Sequence, residues 1–316
     1  MRKWIFHILL FVSSVTLAQD TVPYDLKIRV DSTPVSNTQR TWLVGTASAI
    51  CYGGSFLFLN EAWYKEYPRS SFHTFNDAGE WQQMDKIGHA WTAYHTSRLN
   101  TGLWKWAGVD ENKSVLIGSS TSLLYLLGIE YLDGRSAQWG WSWPDAGADI
   151  SGVALFASQQ LLWKEQRIGI KFSSYHKNYG PSSLKQRADV LFGQPLPERL
   201  LKDYNAQTYW LTFNVKSLLK TGKLPGWLNI AFGYGAEGMF GGYENIGRDK
   251  EGNVIFDRRD IKRYRQWYLS PDIDLTKIKT KSPFLRTAFF LLNAIKIPAP
   301  TLELSNGKLK GHWLAF

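Results

Sequence analysis

Asp85 and His89 stand four residues apart, Glu130 and Asp133 three apart, and Asp145, Asp149 and Gly152 follow at steps of four and three. On α-helices these steps put side chains on one face. Each set would then aim its ionisable groups in one direction, and Gly152 would let two helices approach closely beside them. Ionisable groups within apolar helices are costly unless they meet partners, so mutual contact is the expected arrangement. Two chemistries follow. A histidine among carboxylates offers imidazole and oxygen ligands to a divalent metal ion, with His89, Glu130, Asp133 and Asp149 as the expected ligands. The same groups can move protons: carboxylates would raise the pKa of His89, and Asp85, His89, Glu130, Asp145 and Asp149 form the candidate catalytic set. The competing reading is a satisfied polar network that fixes helix register, with Lys86 and Arg135 as neutralising cations and Asp145 as no more than a helix cap.

Other chemistries lack their residues. The chain shows no nucleophile elbow, no glycine-rich phosphate loop and no Cys/His zinc spacing. His95, beside Tyr94, reads as a packing histidine, and His73 and His176 carry no role. The one cysteine, Cys51, excludes an internal disulfide and a cysteine-built zinc site; within its apolar run it is expected to be a small buried side chain.

Four helices are predicted, and the second, third and fourth carry the ionisable groups. Thr41 to Tyr64 is apolar and rich in Gly, Ser and Ala, long enough for a membrane span, while Gly45, Ser48, Gly53 and Gly54 suit close helix packing. Further helices are predicted from about Trp81 to Lys105, from about Lys113 to Leu132, and from after Ser142 to about Trp163. Ser142-Trp-Pro-Asp145 has the form of a helix start, with Ser142 as N-cap and Pro144 in the first turn. Short connections imply an antiparallel bundle. The densest stretch, Glu130 to Gly152, holds four carboxylates and three tryptophans.

After Lys164 the pattern changes to β-like runs at 171–175, 208–215, 227–234, 266–274 and 301–316, the last broken by Asn306-Gly307, a strong hairpin turn. A short helix is predicted over Pro283 to Ile297. The expected fold class is α+β: an antiparallel helical bundle over 41–164, then a basic β-rich region over 165–316 with short helical insertions. The terminal Phe316 invites a β-barrel reading, but Lys308, Lys310, His312 and Leu314 do not keep its face apolar.

Residues 1–18 read as a secretory signal peptide: Arg2 and Lys3, an apolar stretch from Trp4 to Val12, and Thr16-Leu17-Ala18 before a cleavage point. Residues 19–40 are polar and irregular. The expected location is outside the cytoplasm, in the periplasm or outer membrane of a bacterial envelope. The formal charge of +10 is uneven: 40–163 balance at −3, 164–223 at +7 and 224–316 at +5. An exported chain meets anionic lipid or lipopolysaccharide rather than nucleic acid, so a membrane or anionic lipid surface is the expected partner. Fifteen Trp, fifteen Tyr and seventeen Phe suit such interfaces.

Asp85-Lys-Ile-Gly-His89, Leu127-Gly-Ile-Glu-Tyr-Leu-Asp-Gly-Arg135, Gly140-Trp-Ser-Trp-Pro-Asp145 and Asp149-Ile-Ser-Gly152, taken in this order, resemble the YfiM-like family of predicted periplasmic lipoproteins. The resemblance covers roughly residues 80–160, implies an envelope location and implies no established activity. No cysteine directly follows the apolar leader, which departs from the lipoprotein pattern. The spacing Asp-Lys-x-x-His, a later helical Glu, and Asp with a following Gly is also similar to VanZ-like membrane proteins, where the pattern lies on membrane helices.

Three functions stay open at this level. The first is a structural or assembly-related envelope protein tied together by the His/carboxylate cluster. The second is a metal-assisted or acid/base hydrolase or transferase acting on an envelope lipid or cell-wall molecule. The third is an outer-membrane β-barrel.

Overall fold

The computed structural model describes residues 37–60, 64, 68–219, 224–249 and 251–315. The signal peptide and nearly all of the segment 19–40 lie outside the described residues. The fold is α+β, and the described residues divide into two compact units, 37–166 and 167–315.

In the first unit α1 spans Thr38–Leu59 and starts three residues earlier than the apolar run, because the Asn37 side chain caps it by accepting from the Arg40 amide at 3.2 Å. Val44 alone among its residues is buried, while Trp42, Ile50 and Leu57 are exposed. Cys51 is exposed too, against the expectation of a buried thiol. Gly53 and Gly54 face open space, so the small residues of α1 do not serve close packing there. The two-residue strand β1, Thr74–Phe75, precedes α2, Met84–Trp106; α3 spans Glu111–Asp133. Then β2, Trp141–Ser142, pairs parallel with β1 and leads into α4, Trp143–Trp163. The predicted start of α4 is present: Ser142 Oγ accepts from the Asp145 amide at 3.0 Å, with Pro144 in the first turn. By length and composition α1 and α3 could each cross a membrane, although α3 is partly a core helix.

Helices α2, α3 and α4 pack closely. A Cβ built on Gly152 of α4 would lie 2.2 Å from the Ala90 carbonyl oxygen of α2, so only glycine permits this approach. Ala93, Leu126 and Val153, one from each helix, form a small apolar core. Much of the remaining interior is polar. Asn100 of α2 donates to Ser122 Oγ of α3 at 2.8 Å and to Tyr52 Oη of α1 at 2.6 Å.

The second unit opens with β3, Ile168–Ser174, followed by α5, Ser182–Phe192, and α6, Leu196–Lys202. Then come β4, Gln207–Asn214, the short helix α7, Val215–Leu219, β5, Leu228–Glu237, and a separate hairpin, β6, Ile246–Arg248, with β7, Val254–Asp257. Tyr264–Ile273 forms β8, Pro283–Leu292 α8, Ala299–Ser305 β9 and Lys308–Ala315 β10. The five long β-like runs of the sequence all become strands. They form one antiparallel sheet in the order β10-β9-β8-β5-β4-β3, with successive neighbours joined by meander connections. Asn306 and Gly307 take φ of 49° and 70°, the two left-handed positions of a type I′ turn.

Helix α8 stops five residues short of the predicted Ile297. Asn293 ends it, and Phe172 exchanges backbone hydrogen bonds with Ala294 and Lys296, which lays that segment along β3. The edges β3 and β10 are not paired with each other, so the described strands form an open sheet and not the barrel considered above. Helices α5 and α6 are among the short helical insertions expected in this region, though the sequence does not locate them, and the β6–β7 hairpin was not expected. The buried face of α5 is only Ala188 and Phe192, too few apolar positions to stand out in a basic stretch.

Candidate functional site

The expected convergence of α2, α3 and α4 exists and has two halves, one at each side of the His89 imidazole. On the first, Lys86 Nζ lies 2.6 Å from Asp77 Oδ2, 2.8 Å from Asp145 Oδ1 and 3.1 Å from Asp85 Oδ2. His89 Nε2 is 3.9 Å from the same Asp145 oxygen. On the second, His89 Nδ1 is 3.2 Å from Asp149 Oδ1 and 3.9 Å from Glu130 Oε1. Ser142 stitches the halves. Its amide donates to Glu130 Oε2 at 3.3 Å and its hydroxyl to Asp77 Oδ1 at 2.6 Å.

Asp133 stands apart from the ligand set in which it was expected. It accepts a 2.8 Å hydrogen bond from Tyr64 Oη, and neither group of ligand-spaced side chains includes it. Lys86 provides the neutralisation expected of it, whereas Arg135 is exposed. His95 packs against Trp91 and Tyr94, in keeping with a packing role. Two participants were not anticipated: Asp77, which precedes the helices in an irregular segment, and Ser142 beyond its capping role. An isolated Asp in a loop carries no periodicity, and only the β1–β2 pairing brings it to the site.

Among the described residues, six carboxyl groups, of Asp77, Asp85, Glu130, Asp133, Asp145 and Asp149, thus gather near two cations, Lys86 and protonated His89. Charge is therefore redistributed. Burial, with the nearby Asp145 and Asp133 charges, pushes Glu130 up to about 8. Burial and the Asp85 charge push Asp145 up to about 7, and burial pushes Asp133 up to about 6. Asp149, which is fully buried, is raised by burial as well. Burial opposes the charged form of His89, but the Asp149 hydrogen bond and the charges of Asp85 and Asp145 outweigh it, raising His89 to about 10. Asp77 is lowered: against its burial act hydrogen bonds from Asp145, Lys86 and Ser142.

A metal ion fits one half better than the other. One ligand atom each from His89, Glu130 and Asp149 lies within 4.8 Å of the other two, and the same holds for Asp85, His89 and Asp145. A neutral imidazole has a single lone pair, so only one trio can use it. Lys86 already occupies the Asp85–Asp145 side. The other side has no lysine or arginine contact among the described ion pairs, and Asp149 Oδ2 is buried without a hydrogen-bond partner. The chemistry of imidazole with two carboxylates suits a divalent cation, and Asp145 beside Nε2 would orient the ring.

The backbone leading to the site is strained. Trp81, Gln82 and Gln83 take successive φ of 47°, 55° and 65°, a left-handed turn of non-glycine residues ending two positions before Asp85. Such a turn costs roughly 1–2 kcal/mol per residue and persists only where its surroundings impose it. Asp85 and His89 have side chains about a quarter exposed, so the cluster reaches solvent on this side.

No curated protein and no solved structure matches the chain. Residues 74–160, the segment that spans β1 and nearly all of α4 and includes every member of the cluster, match the family described as predicted periplasmic lipoprotein (DUF2279), which agrees with the leader sequence on export to the periplasm of a bacterial envelope.

Proposed function

We propose that this exported envelope protein has a structural or assembly-related role, and that its helical unit is locked by a divalent cation held by His89 Nδ1, Glu130 and Asp149. The observation that carries this reading is the Asp149 carboxylate, fully buried on α4 with Oδ2 unpartnered, beside a raised Glu130 and a histidine whose other face is already taken. Burying a carboxylate oxygen without a partner costs on the order of 1–3 kcal/mol, and a cation between α2, α3 and α4 would recover it. The match to a periplasmic lipoprotein family over 74–160 supports the envelope setting.

Elemental analysis of the mature chain purified without chelator tests the proposal, beside Asp149→Asn and His89→Ala. One equivalent of a divalent metal in the parent and none in either variant is the expected result. A parent free of metal under these conditions, and not stabilised by added Mn²⁺ or Zn²⁺, would leave a purely proton-shared network.

A second reading, a metal-assisted hydrolase or transferase acting on an envelope lipid or cell-wall substrate, is favoured by the strained turn at 81–83 and the solvent-reaching faces of His89 and Asp85. Turnover of such substrates by the loaded parent and not by His89→Ala would select it over the lock.

A further inference from the structure

The six-stranded sheet has its polarity reversed. The side chains that it buries are largely polar: Thr212 and Asn214 of β4, Asn229 of β5, Asp272 of β8, and Thr301 and Glu303 of β9. Most of the alternate positions are exposed and apolar, although Tyr209 of β4, in register with Tyr234, is buried. In register across four strands run Leu211, Phe232, Leu269 and Leu302, each at least 40% exposed. The next row toward the sheet's other end is Tyr234, Trp267, Leu304 and Leu309.

This face cannot turn inward, because the opposite one is tied together by its own polar contacts. Lys171 Nζ pairs with Asp272 Oδ2 at 2.9 Å and donates to the Ile273 carbonyl at 2.7 Å. Asn214 Nδ2 donates to Asn229 Oδ1 at 2.9 Å, and Asn229 Nδ2 to Asp272 Oδ2 at 3.2 Å. Trp210 Nε1 donates to Ser173 Oγ at 2.8 Å. A one-residue slip in register would expose this network and bury leucines in its place. A contiguous apolar face with a polar rim marks an interaction surface.

We propose that the exposed face of β4, β5, β8 and β9 rests in the hydrocarbon of one leaflet of a lipid bilayer. The rows change character in the order of a membrane surface. Leucine and phenylalanine come first. Then Tyr234 and Trp267 pack edge to face with ring centroids 4.9 Å apart, and last comes Arg265, whose Nε donates to Tyr234 Oη at 3.0 Å. Aromatic rings with one polar edge favour the interface between hydrocarbon and water, and a guanidinium beyond them meets lipid phosphate. The surplus of +7 and +5 over 164–223 and 224–316 complements anionic head groups. A second copy packed on this face would have no use for that gradient.

The depth is set by geometry. From Ile230 to Tyr234 the apolar rows cover four residue steps of β5, about 13 Å at ~3.3 Å per step, less than half of a ~30 Å hydrocarbon core. The edge β10, and β3 beyond the stretch lined by Ala294 and Lys296, carry backbone groups that hydrocarbon cannot satisfy. The seat is therefore shallow and one-sided. It is independent of any metal at His89.

The test uses the full chain with vesicles of phosphatidylethanolamine and phosphatidylglycerol whose acyl chains carry bromine. Trp267 should contribute a share of tryptophan quenching that disappears in Trp267→Phe. The double variant Phe232→Glu with Leu269→Glu, both at exposed positions, should cut vesicle flotation by tenfold or more, since two large apolar side chains leave the hydrocarbon and two carboxylates would have to enter it. Quenching unchanged by Trp267→Phe would overturn the proposal. So would a lipid-free dimer of the parent that the double variant dissociates, because a second copy would then cover the face. If the double variant fails to fold by circular dichroism, the conservative Trp267→Phe comparison decides alone.

Discussion

His89 and Asp149 meet at 3.2 Å, Nδ1 to Oδ1, across two helices that the chain joins only after sixty residues. The contact depends on Gly152, three residues further along α4, whose missing side chain lets α4 approach Ala90. The histidine is thereby held between two acidic groups of different kinds. Asp145 faces one nitrogen and is already shared with Lys86; Asp149 and Glu130 face the other, with no lysine or arginine among their described ion pairs.

Removing either end of this contact should therefore act through metal. Asp149→Asn keeps the shape but removes the charge that would hold a divalent ion. Titrated with Mn²⁺ or Zn²⁺, the parent should gain thermal stability with ligand concentration, as any ligand binding only the native state requires. Asp149→Asn should gain little, with its apparent affinity weakened at least tenfold. Equal gains in both proteins would place the ion elsewhere.

The ion-free protein should lose stability as pH rises. Glu130 and Asp145 have folded pKa values near 8 and 7 against ordinary values of 4.5 and 3.8. A carboxyl group raised in this way stabilises the fold fully below its unfolded value and loses that contribution as pH climbs through the folded one. His89, raised to about 10 from 6.5, has the same sign: its stabilisation is complete below 6.5 and fades toward 10. Asp77 is lowered, so its contribution fails only on acidification below the ordinary carboxylate range. Thermal unfolding with chelator should show a melting temperature that falls from pH 5.5 to 8.5, and saturating metal should flatten the curve. A rise over the same window in chelator would refute the assignment of these groups.

Much of this architecture was legible in the residues, for identifiable reasons. Ser142-Trp-Pro-Asp145 is a capping signal with a local mechanism, and it starts α4 where expected. Asn306-Gly307 has one favourable geometry, and it forms that turn. Steps of three and four brought Asp85, His89, Glu130, Asp145 and Asp149 together because three long helices keep those faces in phase. Asp77 was missed because its position is fixed by the pairing of β1 with β2, which no local pattern announces. Asp133 shares a face with Glu130, yet it lies at the last residue of α3 and turns to Tyr64 instead. The reversed sheet shows the deepest limit. Tyr209-Trp-Leu-Thr-Phe-Asn alternates clearly, but alternation does not say which side is the interior.

Gly152→Ala should destabilise the helical unit although alanine is the better helix former. The added Cβ would meet the Ala90 carbonyl oxygen at 2.2 Å and the Ala93 Cβ at 2.9 Å, both on packed α2, and overpacking of this kind costs about 1–3 kcal/mol. Gly147→Ala, five residues earlier on the same helix and facing open space, is the control. It should be neutral or stabilise by about 0.5–1 kcal/mol. Chemical denaturation of both variants checks the pair, and equal midpoints would show that α4 can move away from α2 at no cost.

Lys86→Met tests whether the two halves of the cluster are electrically coupled. Lys86 is nearly buried and contacts Asp77, Asp85 and Asp145, so its removal leaves three carboxyl groups without their common cation. Breaking a buried pair from one side costs about 3–5 kcal/mol. The loss should be smaller at pH 5.5, where Asp145 can take up a proton, than at pH 8. A divalent ion should partly restore the variant by entering the Asp85–Asp145 side, which Lys86 otherwise fills. Loss of stability that is the same at both pH values and insensitive to metal would instead make Lys86 a packing residue, and the cluster two separate networks that share only the His89 ring.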